Sequence, residues 1–118
     1  MSKIDFKIKV DWLDVTVHVY FVDDAMQWRN NDLIKKFPKL EKSKFSEAYA
    51  MHTYDVDAYP FDRFIILNKR SNWGTIAHEC YHCAKNMLEY NDIKNEEATA
   101  HLLEYLVTTI QGKIKNKK

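Results

Sequence analysis

The segments Phe64-Ile65-Ile66-Leu67 and Thr75-Ile76-Ala77-His78-Glu79-Cys80-Tyr81-His82, joined by a polar turn that ends at Gly74, decide the fold of this chain. The apolar run predicts a short buried strand, and the second segment predicts a helix. Helical side chains four positions apart share one face, so His78 and His82 can converge on one metal ion. Glu79 can then reach a metal-bound water at the rim as a general base. The spacing H-E-x-x-H therefore predicts a zinc site.

Length and composition limit the classes of protein to consider. The chain has 118 residues, which suits a single domain with a modest core. Its 18 Lys and Arg nearly balance its 17 Asp and Glu, so net charge favours neither nucleic-acid nor membrane-surface binding. No apolar run approaches the ~20 residues of a membrane helix, and the alternating N-terminus is not a signal peptide. The two cysteines give no disulfide framework, so a cytoplasmic location is predicted. Nothing in the sequence indicates an oligomeric state.

Period-two alternation marks the N-terminal half. Apolar residues at alternate positions of 4–10 and 13–21 predict a β-hairpin with one buried face. Asp23 and Asp24 then provide an N-cap signal for a helix over 24–36, which Pro38 ends. Residues 39–46 predict a loop, and 48–54 predict a third strand, with a short helix over 46–51 as the alternative.

The C-terminal half contains the predicted strand 64–68 and two helices. The motif helix is predicted over 75–90, and Asn91-Asp92 ends it. A last helix is predicted over 95–111, with Gly112 as its C-terminal cap. We therefore expect one α+β domain over 1–112, with a four-stranded mixed sheet packed on the last two helices in the order β-β-α-β-β-α-α. Residues 113–118 are expected to form a flexible basic tail.

A third metal ligand is expected on the last helix, because a catalytic zinc usually has three protein ligands and an open position. The first two turns of this helix hold Glu96, Glu97 and His101. Strict antiparallel packing of the two helices would favour His101 or Glu104 opposite His82, whereas a tilted crossing admits Glu97. Helical phase places Glu96 nearest the apolar face. First-turn acids are also typical of helices that bind nothing.

The order of a strand, the H-E-x-x-H helix and E-x-x-A on the next helix resembles the gluzincin metallopeptidases, particularly the small single-domain phage and prophage types. Their pattern is roughly G-T-x-x-H-E-x-x-H-A, then D-E-A-x-A-Y-L. The chain has Gly74-Thr75-Ile76-Ala77-His78-Glu79-Cys80-Tyr81-His82-Cys83 and Glu96-Glu97-Ala98-Thr99-Ala100-His101-Leu102 at these places. The likeness covers roughly 64–107. His101 departs from it, because the small members often have Tyr there.

This resemblance implies a zincin-like fold and a Zn²⁺ cofactor held by His78, His82 and Glu97. Glu96, His101 and Glu104 remain as alternative ligands or as residues that surround the ligands. The implied activity is peptide-bond hydrolysis by a zinc-activated water, with Glu79 as general base. In zincins the strand beside the motif helix is exposed at one edge, so a peptide or protein substrate is expected to bind along Phe64–Asn68 by strand addition.

Other readings of the same residues lead to different expectations. A zincin-fold protein-binding or inhibitory factor of a phage or mobile element, without proteolytic activity, is the alternative function, because so small a chain has little room for a recognition subsite. His18 and His52 are predicted to be ordinary sheet or surface residues. Cys80 and Cys83 would lie in the middle of a helix, so they are predicted to be buried thiols rather than a redox pair.

Overall fold

The computed structural model describes residues 4–41 and 50–116, which form an α+β fold with a four-stranded mixed sheet and three helices. The helix α1 covers 25–36 and consists of α-helical turns at Ala25–Trp28 and Ile34–Lys36 around a π-helical turn at Arg29–Leu33. The other elements are β1 (Ile4–Val10), β2 (Val15–Val22), β3 (Ala50–Thr53), β4 (Asp62–Asn68), α2 (Trp73–Tyr90), α3 (Glu96–Asn116) and a 3-10 turn at Asp11–Leu13 that joins β1 to β2. The predicted order of strands and helices is confirmed.

The sheet has the strand order β1-β2-β4-β3. The predicted hairpin of β1 and β2 is confirmed, with Ile4 opposite Phe21 and Val10 opposite Val15. β2 then pairs in parallel with β4, and β4 pairs antiparallel with β3. Of the predicted third strand over 48–54, Ala50–Thr53 forms a strand rather than the alternative helix, and Tyr54 lies beyond its end. Residues 48 and 49, and 42–46 of the predicted loop, lie outside the described residues.

The prediction that only one face of the hairpin is buried is wrong for β2. Val17 and Val19 belong to a core between the sheet and the last two helices, whereas Tyr20 and Val22 belong to a second core beneath α1. The helices α2 and α3 cover one face of β2, and α1 covers the other face. The Tyr20 side chain, which was expected to face solvent, is therefore buried beneath α1.

The helix α1 begins and ends close to the predicted positions. The Asp24 side chain accepts a hydrogen bond from the backbone N–H of Gln27 at 3.0 Å, as an N-cap does. The helix ends at Lys36, two residues before Pro38, because a residue preceding proline is driven out of the helical conformation.

The motif helix α2 begins two residues earlier than predicted. Asn72 supplies the N-cap, since its side chain accepts a hydrogen bond from the Thr75 N–H at 2.9 Å. The helix packs Ile76, Ala84 and Met87 into the core between sheet and helices. Cys80 and Cys83 are buried free thiols, as predicted.

The helix α3 continues past its predicted end. Gly112 lies within the helix, so its prediction as a C-terminal cap is wrong. Residues 113–116 of the predicted tail are also helical, and Ile114 packs against the same core as α2. This contact, and basic side chains at the negative end of the helix dipole, outweigh the local cost of glycine. Among the described helices, none is both long enough and apolar enough to span a membrane.

Candidate metal and catalytic site

The two motif histidines lie together on the solvent side of α2. Their Nε2 atoms are 3.1 Å apart, and the two rings meet edge to face. Two nitrogens that each bind a tetrahedral zinc at ~2.0–2.1 Å would be roughly 3.4 Å apart, so the pair fits two positions of such a site. The same separation also suits a hydrogen bond from one neutral ring to the other. The predicted convergence of His78 and His82 is present in the structure.

Glu79 lies beside the histidines but is buried rather than at the rim. Its exposed fraction is 9 %. Desolvation raises the pKa of this carboxyl above its ordinary value. His78, His82 and a hydrogen bond from the backbone of His52 act in the opposite direction, because each favours the carboxylate. Glu79 is thus a partly desolvated carboxyl held against strand β3.

His52 is a member of the site that the sequence did not identify. It lines a cleft of about 470 Å³ together with His78, Glu79 and His82. Burial and the nearby charges of Arg63 and His82 lower the pKa of the His52 imidazole to about 3. The Nε2 atom is buried and has no hydrogen-bond partner among the described residues. Only the packing of β3 beside α2 brings it there, and no local sequence pattern carries that information.

The predicted third ligand does not reach the histidine pair in this structure. Glu97 is exposed on α3, and its carboxylate lies 3.5 Å from Nε2 of His101, one turn along the same helix. Glu104 is also exposed, and Glu96 lines a second cavity of about 550 Å³ between α2 and the start of α3. Within 4–41 and 50–116, no three His, Cys, Asp or Glu side chains are arranged to hold a metal ion.

The register of α3 explains where these residues lie. Its inner face carries Leu102, Leu106 and Ile110, which are buried against the sheet and α2. Glu97 and His101 project from a different side of the helix, toward solvent. In the part of the chain that the structure describes, Glu97 forms no ligand group with the histidine pair, so its role as third ligand stays a prediction made from the resemblance.

The predicted substrate strand needs correction. β4 pairs with β2 along Asp62–Asn68 and with β3 along Phe64–Leu67. Both edges of β4 therefore have a neighbouring strand, and the edge that was expected to be exposed is not. A peptide cannot add to it by main-chain hydrogen bonds. β3 is the outermost strand at this side of the described sheet, and it is the strand that faces Glu79.

The remaining histidine is structural. His18 Nε2 lies 2.6 Å from the Asp62 carboxylate, and its ring stacks on Phe64 in the core beneath α1. This arrangement agrees with the prediction of an ordinary sheet residue.

A comparison of the chain with models of protein families, with curated proteins and with solved structures found no match. The likeness to the small gluzincins therefore rests on the motif residues alone.

Proposed function

We propose that this protein is a zinc-dependent metallopeptidase of the small gluzincin type, with a zincin-like fold. One observation carries the proposal. The Nε2 atoms of His78 and His82 lie 3.1 Å apart in an open cleft that also holds the buried carboxyl of Glu79. A core histidine pair would not need solvent access, and a surface pair would not need a buried carboxyl beside it.

In the proposed reaction, some residues of the cleft bind the metal and another transfers a proton. When bound, zinc supplies a Lewis acid for the scissile carbonyl and acidifies water. His78 and His82 would hold it as neutral imidazoles through Nε2, with Glu97 as the proposed third ligand. Glu79 accepts a proton from the attacking water and passes it to the leaving amine as the C–N bond breaks. Its partial burial makes the carboxylate a stronger base than an exposed glutamate.

The proposed substrate is a peptide or protein segment in extended form. The cleft lies between α2 and β3, and Ala50, Met51 and His52 of this strand line it. We therefore propose that the substrate binds along β3. The peptide would add to this outermost strand instead of to the strand 64–68. Glu79, which accepts a hydrogen bond from the His52 backbone, would then lie beside the bound segment.

A protein-binding factor without proteolytic activity is the second candidate. The observation that favours it is the contact of Glu97 with His101 on the exposed face of α3, away from the histidine pair. A hydrogen bond between His78 and His82 would then account for their approach without an ion. The intact Glu79 favours the enzyme, because a binder has no need of a general base.

The deciding experiment measures zinc content and hydrolysis of unstructured protein substrates together. We expect about one zinc per wild-type chain, a loss of zinc in His82→Ala and Glu97→Ala, and retention in Glu96→Ala. Glu96→Ala is the matched control, since it removes the same charge from the same helical turn. We expect Glu79→Gln to keep the zinc and lose hydrolysis by at least about a hundredfold, as is typical for a general base.

Each other outcome has a distinct meaning. Loss of zinc in Glu96→Ala, His101→Ala or Glu104→Ala in place of Glu97→Ala would retain the metallopeptidase and change the third ligand. Wild-type protein that takes up no zinc after dialysis against the ion would refute the enzyme. Zinc without hydrolysis of any substrate would favour the binding factor.

A further inference from the structure

Two buried polar atoms on the face of the sheet that packs against α2 have no hydrogen-bond partner among the described residues. They are Nε2 of His52 and Nη2 of Arg63. His52 lies opposite Ile65, two residues from Arg63 on β4, so both side chains project from the same face of the sheet. The Tyr54 ring stacks on His52 with centroids 5.2 Å apart and lies 5.9 Å from the Arg63 guanidinium. The two unpartnered nitrogen atoms therefore belong to one cluster.

Arg63 is a buried cation, with an exposed fraction of 0 %. Burial lowers the pKa of its guanidinium, and the charge of Asp62 acts in the opposite direction, but the Asp62 carboxylate bonds to His18 instead. Nε donates to Oδ1 of Asn86 at 2.7 Å, and Nη1 donates to the backbone carbonyls of Pro60 and Asp62 at 3.2 and 3.0 Å. All three acceptors are neutral, and no described carboxylate forms an ion pair with the guanidinium. A charge buried in this way is costly unless an opposite charge joins it.

The cluster adjoins the cleft that holds the motif residues. Asn86 and Tyr54, two of the side chains in contact with Arg63, both line that cleft with Glu79. The rings of Tyr54 and Tyr90 cover the guanidinium at 5.9 and 5.6 Å, and both are about half exposed. Arg63 itself does not line the cleft, so a ligand there reaches Nη2 only after one of these rings turns toward solvent.

We propose that Arg63, with His52 beside it, forms a carboxylate-recognition subsite at the Tyr54 end of this cleft. The guanidinium donates Nη2–H to the carboxylate of a bound peptide, and His52 adds a donor in the tautomer protonated at Nε2. The carboxylate belongs either to the C-terminus of the peptide or to an Asp or Glu side chain. That the ligand is a peptide rests on the proposed function.

The test is a set of dissociation constants for the Glu79→Gln protein, in which turnover is blocked. Three acetylated tetra-alanine peptides are compared by calorimetry: one with a free C-terminal carboxylate, one amidated with an internal Glu, and one amidated with Gln in place of Glu. We expect one of the two carboxylate peptides to bind roughly ten- to a hundredfold tighter than the neutral peptide, as for a hydrogen bond to a charged group. The tighter one identifies the source of the carboxylate.

Variants then assign this preference to the cluster. Arg63→Met in the same background should abolish it, and His52→Gln should weaken it. Arg70→Met is the matched control, because it removes an exposed arginine from the loop after β4 and should leave the preference intact. If Arg63→Met does not fold, Arg63→Lys and Asn86→Ala replace it, since each keeps a cation but removes its fixed orientation, and each should reduce the preference to less than about threefold.

Equal binding of all three peptides, no binding of any, or a preference that survives Arg63→Met would overturn the subsite. These results are distinguishable from failure of the peptidase. A protein without zinc or hydrolysis that still prefers the carboxylate would retain the subsite and refute the enzyme. A peptidase that cleaves carboxylate and amide peptides with equal kcat/KM would retain the enzyme and refute the subsite.

Discussion

His52 should make this protein sensitive to acid. In the folded chain the pKa of its buried imidazole is about 3, against 6.5 for the ordinary group. Between these values the unfolded chain binds a proton that the folded chain does not, so the free energy of unfolding falls as the pH is lowered. Each pKa unit corresponds to ~1.4 kcal/mol, so His52 alone should cost about 2 kcal/mol at pH 5 and about 3 kcal/mol at pH 4.

His52→Gln isolates this contribution, because glutamine keeps polarity and reach but does not titrate. Urea unfolding of metal-free protein at pH 7, 5 and 4 gives the free energies to compare. We expect the wild type to lose about 3 kcal/mol more than His52→Gln between pH 7 and pH 4. His101→Gln, which removes an exposed imidazole from α3, serves as the control and should follow the wild type. Parallel curves for the wild type and His52→Gln would refute the assignment of a buried, neutral His52.

Three further predictions concern the helices. Gly112→Ala should raise the free energy of unfolding by about 1 kcal/mol in thermal or urea melts, since the residue is helical and an added Cβ meets no atom within 4 Å; a loss of stability would contradict the helical continuation of α3. Leu106→Ala should lower it by roughly 2–5 kcal/mol, because the side chain is 0 % exposed between α3 and the sheet, and a cost below about 1 kcal/mol would contradict that packing. Cys80 and Cys83 should resist thiol reagents in the folded protein and react fully in denaturant, because both are buried and burial raises the pKa of Cys80 to about 12. Rapid labelling of the native protein would contradict the burial of this face of α2.

Local patterns predicted most of the elements of this fold. Period-two alternation predicted the hairpin of β1 and β2, and the cap signal at Asp24 predicted the start of α1, because both depend on residues close in sequence. The same reasoning placed His78 and His82 on one face of α2, since helical geometry alone fixes side chains four residues apart. Where a local signal failed, as at Gly112, a long-range contact of Ile114 outweighed it.

In the candidate site, too, the sequence determined some features and the tertiary structure determined others. The sequence by itself determined the histidine pair and its neighbouring glutamate. Only the tertiary structure decided that β4 is an inner strand, that β3 is the strand that faces Glu79, and that Glu97 lies outside the cleft with His101. It also decided that the Nε2 atom of His52 and the Arg63 side chain are buried on one face of the sheet, although they come from separate strands. The physical reason is that strand order, helix register and burial depend on the summed packing of distant segments, which no window of the sequence contains.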